Sequence, residues 1–126
     1  MVNIRELRLG NAVFNGFNDV IIIDGIISDE NTSGYYTETL RPIKLVEKRL
    51  YELGLQKYES SDIPTYFKNF GNHDGEDFEY CFMIFQDAKD NFYTEIMGKK
   101  IILESVHQTQ NLFFDVTGEE LTFNIK

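Results

Sequence analysis

Chemistry at a protein site needs ionisable or nucleophilic side chains at workable spacing, and this chain of 126 residues offers few. It holds two histidines, His73 and His107, and one cysteine, Cys81. The densest cluster is HDGED at 73–77, where His73, Asp74, Glu76 and Asp77 are hard and borderline metal ligands. Calcium wants oxygens at alternating positions and a distant bidentate acid, and that pattern is absent. Zinc wants a second histidine or cysteine close by, and His107 is remote in sequence. The loop therefore reads as a solvated acidic tip, with no metal site expected. Cys81 lies between Tyr80 and Phe82 in an apolar run and reads as a buried small hydrophobe. A reactive thiol would need electropositive neighbours. No local signature ties Cys81, His107 and a carboxylate into a nucleophilic set. The glycines are scattered, so no phosphate-cradling loop occurs. The acid pairs Asp29-Glu30 and Glu119-Glu120 fall in expected turns, where exposure keeps them ordinary carboxylates. No catalytic residue and no cofactor are expected.

Recognition is a better prospect. Residues 106–121, VHQTQNLFFDVTGEEL, form the clearest amphipathic helix. Ser105 and Gln108 make a capping-box pattern at its start, and Gly118 suits its end. At about 100° per residue, Val106, Thr109, Leu112, Phe113 and Val116 share one arc, with Gln108, Asn111 and Asp115 opposite. Phe114 lies off the apolar stripe, beside His107, Gln110 and Asn111. These four stand at i, i+7, i+3 and i+4, so one partner can touch them together. An aromatic ring framed by hydrogen-bonding side chains suits a partner surface. The plainer expectation is a helix covered on two sides, with Phe114 as further core.

The elements that must position this helix read as mostly antiparallel sheet. Ala12-Val13-Phe14 precedes Asn15-Gly16, a strong signal for a two-residue hairpin turn. Residues 17–28 contain DVIIIDGII, a β-branched run suited to a central strand, with Gly25 marking a bulge or bend. DENTSG at 29–34 reads as a turn and YYTETL at 35–40 as the next strand. Three strands give an antiparallel meander, SH3-like if strongly curved. Residues 46–53 read as a helix, ended by Gly54 with Leu55 closing the terminus. Residues 57–59 and 65–70 read as strands around Pro64, the second at an edge. Residues 78–86 and 91–97 flank the turn DAKD as a hairpin, 99–105 feeds the long helix, and 121–125 adds a last strand. The expected fold class is α+β: mostly antiparallel sheet packed with two helices, in a single domain over residues 1–126.

Three stretches carry a resemblance. Residues 106–121 resemble VHQLQNLYFALTGEEL, LRLGNAV at 7–13 resembles LRIGNxV, and IKLVEKRLYELGL at 43–55 resembles IPLTEEWLxKFGF. These are patterns of a family of small uncharacterised proteins in Bacteroidetes genomes, often in prophages and mobile elements. In this chain Thr109 replaces a usual Leu, Asp115 a usual Ala, and Val46 a common capping Thr. The resemblance implies a bacterial or phage origin and no site residues.

Composition bounds the rest. A formal net charge of −9 disfavours nucleic acid and anionic membranes, since both demand a basic surface. It leaves open a basic partner, or mimicry of nucleic acid. No apolar run approaches the ~20 residues of a membrane span. MVNIRELRLG lacks a signal-peptide apolar stretch, so a cytoplasmic location is expected. The leading expectation is a small, acidic, non-enzymatic interaction protein of a prophage or mobile element. The alternative is a small-ligand binder whose aromatic-rich region 66–93 lines a pocket. Third comes an enzyme using His107.

Overall fold

A computed structural model describes residues 7–15, 17–23, 40–59, 62–71 and 80–124. In chain order the elements are β1 (Ala12–Phe14), β2 (Val20–Ile22), α1 (Glu47–Glu52), β3 (Gln56–Tyr58) and β4 (Thr65–Phe70). Then follow β5 (Tyr80–Gln86), β6 (Phe92–Ile96), β7 (Lys99–Leu103) and α2 (Val106–Thr117). β1 and β2 make a two-stranded antiparallel sheet, and β3 to β7 a five-stranded one in sequence order, all neighbours antiparallel. The fold is α+β and mostly sheet.

Strand alternation divides the large sheet into two faces. Tyr66, Phe82, Ile84, Phe92 and Leu103 turn inward and are buried. Phe113 of α2 reaches this face, its ring edge-on to Phe82 at 5.2 Å and to Phe70 at 6.1 Å. Leu50 of α1 and its cap residue Leu53 complete the same core, with Leu121 and Phe123 beyond α2. A smaller core joins Val13, Ile23 and Leu40. The outer face carries one cross-strand row, Tyr58, Thr65, Phe85, Tyr93 and Ile102, given by the pairing register.

Local chemistry explains the helix ends. Leu53 caps α1; Leu55 then donates its N–H to the Leu50 carbonyl, Gly54 donates to Tyr51, and Gly54 takes φ 87°. This paired closure satisfies carbonyls left over at a helix end. Ser105 Oγ accepts the Gln108 N–H at the start of α2, and Gly118, at φ 75°, donates to Phe114 at its end. Gln108 reaches back one residue further than a capping box would, accepting the Glu104 N–H at 2.8 Å.

Several expectations need correction. The first hairpin closes where Asn15 donates to the Asp19 carbonyl, so its tip spans five residues, with Asn18 at φ 66°. Asn15 Oδ1 accepts the Phe17 and Asp19 amides and organises this longer turn. Residues 24–39, which include the expected bulge at Gly25 and the third meander strand, lie outside the described residues. Arg41, just after that expected strand, makes an isolated antiparallel bridge with Phe14 of β1. β4 sits between β3 and β5, so the edge is β3. Residues 121–124 alternate in burial without joining a sheet; the Asn124 N–H goes to the Glu52 carbonyl instead. Cys81 is exposed, because Phe82 and Ile84 take the inward positions of β5. Met97-Gly98 closes β6 to β7 as a two-residue turn with both residues at positive φ, although Met97 carries none of the usual preference for that conformation.

Candidate functional site

The flank His107, Gln110, Asn111 and Phe114 does not form one exposed patch. His107 and Gln110 are 4% and 1% exposed, while Phe114 keeps 36%. The buried side of α2 is rotated toward them: His107 and Gln110 are covered, and Val116, expected on the buried stripe, is exposed.

Gln110 explains the rotation. Its Oε1 accepts the Ala12 N–H at 2.9 Å, and its Nε2 donates to the carbonyls of Gly10 at 3.0 Å and Leu121 at 2.9 Å. A buried amide with both ends satisfied is tolerated where an unpaired one is costly. Asn111 Oδ1 accepts from Arg8 Nε at 2.8 Å and Asn11 Nδ2 at 2.9 Å. The Arg8 guanidinium also reaches Glu120 and the Gln110 carbonyl, and lies 4.3 Å over the Phe114 ring. One polar network thus joins residues 8–12 to α2 and to the segment after it. Among the described residues every buried side-chain nitrogen and oxygen has a partner.

The other side of α2 lines an open groove of about 890 Å³. Its walls are the segment 42–45, the ends of β6 and β7 with the residues after β7, and α2 from His107 to Asp115. Leu45, Phe92 and Leu103 are buried at its base, whereas Lys44, Asp90, Glu104 and Asp115 are exposed at its rim. His107 and Asn111 contribute to its lining. Ser105 Oγ lies 3.3 Å from His107 Nδ1, but the same oxygen caps α2 by accepting the Gln108 N–H. That hydroxyl serves as the cap of α2, and both Ser105 and His107 are buried. Of the described aromatic residues in 66–93, Phe92 alone belongs to this groove.

The backbone beside the groove is unusual. β7 is an edge strand of the large sheet. On its outer edge, Gln108 Nε2 donates to the Ile102 carbonyl at 3.0 Å while Gln108 Oε1 accepts the Glu104 N–H at 2.8 Å. One side-chain amide therefore takes both places that a neighbouring strand would fill. Just beyond, backbone does the same work. Leu45 donates to the Glu104 carbonyl, Val106 donates to that of Ile43, and Lys44 bridges Ser105 antiparallel.

Two further polar features belong to the fold. The Tyr66 hydroxyl donates to Glu47, which also meets Lys57 at 3.6 Å. That hydroxyl, helped by Lys57, draws the Glu47 carboxyl below its ordinary value. Burial and then Glu47 push the Tyr66 phenol well above its ordinary value. Desolvation raises the Cys81 thiol. The HDGED loop at 73–77 lies outside the described residues, and among the described residues no group of three His, Cys, Asp or Glu is placed to hold a metal. No helix among them is long and apolar enough to cross a membrane.

Compared with protein-family models, curated proteins and solved structures, the chain has no match.

Proposed function

We propose that this chain is a non-enzymatic protein-interaction module that docks a segment of a partner in the groove beside β7. The observation that carries this reading is the Gln108 amide on the β7 edge, holding the Ile102 carbonyl and Glu104 N–H in the geometry of strand pairing. Strand addition to a sheet edge is a common way to recognise extended peptide, with backbone bonds giving affinity and side pockets specificity. The apolar base at Leu45, Phe92 and Leu103 supplies such pockets. The resemblance to small Bacteroidetes prophage proteins is compatible with an accessory role of this kind. Nucleic acid remains disfavoured as the partner by the net charge of −9.

The test is site-specific photo-crosslinking in lysate of the bacterium that carries the gene. A benzophenone side chain at Asp115, on the groove rim, should capture one polypeptide in stoichiometric amount. The same probe at Glu95 in β6 should not. A small-ligand site is the second reading, because an open groove with Lys44 at its rim also suits a small molecule. A melting-temperature rise with a metabolite, and no polypeptide captured from position 115, would replace the first reading with the second.

A further inference from the structure

The groove has a charge as well as a shape. Three carboxylates, Asp90, Glu104 and Asp115, stand at its rim against one ammonium, Lys44, and all four are exposed. The chain as a whole carries −9. Acidic walls over an apolar base favour a ligand with positive side chains and apolar ones between them, and the long-range field speeds its arrival. The edge beside those walls is suited to backbone. Alternation along β7 aims the amide and carbonyl of Lys100, Ile102 and Glu104 toward the same side. At the Ile102 carbonyl and the Glu104 N–H a side-chain amide fills that side, and a side chain can swing away where a strand would not. The Glu104 carbonyl is held by the Leu45 N–H, which marks the end of the available edge. The lysines of β7 do not contradict this. Lys99 and Lys100 stand at the hairpin end, outside the groove lining, and the Lys100 ammonium lies 4.4 Å over Tyr93 on the outer sheet face.

We infer that the groove takes an extended, basic segment of a partner protein, in which lysine or arginine alternates with apolar residues. Its backbone adds to β7 in place of the Gln108 amide. The inference rests on the docking reading above and names its occupant. In the bound state the apolar side chains face Leu45, Phe92 and Leu103, and the cations meet the rim acids. Gln108 acts as a stand-in strand that keeps the edge satisfied when no partner is present, which limits unwanted edge-to-edge pairing.

The experiment uses the intact chain and a fluorescein-labelled octapeptide alternating lysine with valine, read by fluorescence anisotropy. The expected Kd at low salt is about 10–100 μM, weakening several-fold in high salt as screening shortens the reach of the rim charges. An octapeptide alternating glutamate with valine should not bind. Glu104→Lys combined with Asp115→Lys should weaken the lysine peptide at least about tenfold, since both positions are exposed and rim charges govern encounter. Gln108→Ala should tighten it several-fold, because the competing amide is gone and the capping N–H of residue 108 is backbone. N-methylation of alternate peptide amides should abolish binding. Equal binding of the acidic peptide, indifference to the double reversal, tolerance of N-methylation, or a Gln108→Ala variant no tighter than wild type would each overturn the inference. Failure of both peptides alongside successful crosslinking from position 115 would refute the basic occupant while leaving protein docking intact.

Discussion

Replacing Gln110 by leucine isolates the energetic role of the network that joins residues 8–12 to α2. Leucine nearly matches the volume, so the substitution removes hydrogen bonds while opening little space. Three backbone groups lose their partner: the Ala12 N–H and the carbonyls of Gly10 and Leu121. Ala12 and Leu121 are 0% and 1% exposed, so water cannot readily take over at either. An orphaned buried group costs about 1–3 kcal/mol, and carbonyls fall at the low end because they hold a second lone pair. Gly10 is partly exposed and contributes least. The sum is a loss of about 3–5 kcal/mol, large against the 5–15 kcal/mol of a typical domain. Gln110→Ala should cost more, by the cavity it leaves. Urea unfolding followed by far-ultraviolet circular dichroism measures both. Amide exchange at Ala12 should quicken in the leucine variant, since its N–H has lost its acceptor. A Gln110→Leu variant within about 1 kcal/mol of wild type would refute the reasoning: the amide would then be a passenger, and α2 would owe its rotation to something else.

The other predictions test separate parts. Phe113→Ala empties the site between Phe70 and Phe82 and should cost about 3–5 kcal/mol in urea melts; a loss below about 1 kcal/mol would mean that this packing is unimportant. The folded Tyr66 phenol holds its proton more tightly than the unfolded one. Its contribution is therefore complete below the unfolded value of 10.0 and is lost as pH rises past it, so thermal melts of wild type should fall at high pH more steeply than those of Tyr66→Phe. Cys81 is exposed with its thiol raised, so the folded chain should react with a chromogenic disulfide reagent in one-to-one yield, more slowly than free cysteine at pH 8. Gly54→Ala forces a side chain into φ 87° at the end of α1 and should cost about 1 kcal/mol by calorimetry.

What was legible in the sequence is local. The caps of α2, the Gly54-Leu55 closure of α1 and the β5–β6 hairpin follow from side chains acting within a few residues of their own backbone. What was not legible depends on distant partners. Gln110 counts as polar in any helical periodicity. It is buried because residues 10, 12 and 121 bring three backbone groups to it. Val116 counts as apolar and stands exposed. Cys81 failed for a related reason: an apolar run of residues fixes that a strand exists, but not which parity faces the helix. Nor does any pattern in residues 65–70 tell an edge strand from an interior one. The groove was beyond reach, since three stretches distant in sequence build it and no local pattern brings them together.

The two terminal stretches that carry the resemblance turn out to be neighbours. Arg8, Gly10 and Asn11 from LRLGNAV meet Gln110, Asn111, Phe114 and Glu120 from the C-terminal stretch in one network of amides, guanidinium and ring. Those letters are therefore explained by holding the fold together, and need no partner to account for them. The positions where this chain departs from the pattern it resembles divide between core and surface. Thr109, in place of a usual Leu, is fully buried and returns its hydroxyl proton to the Ser105 carbonyl, so that departure is absorbed by the core. Asp115, in place of a usual Ala, is different. It makes no demand on the fold at an exposed position late in α2, and it stands on the groove rim with Glu104 and Asp90. A carboxylate there adds to the acidic rim. The proposed docking reading thus draws on both kinds of residue: Gln108, one of the shared letters, at the β7 edge, and Asp115, a departure from the pattern, on the acidic rim.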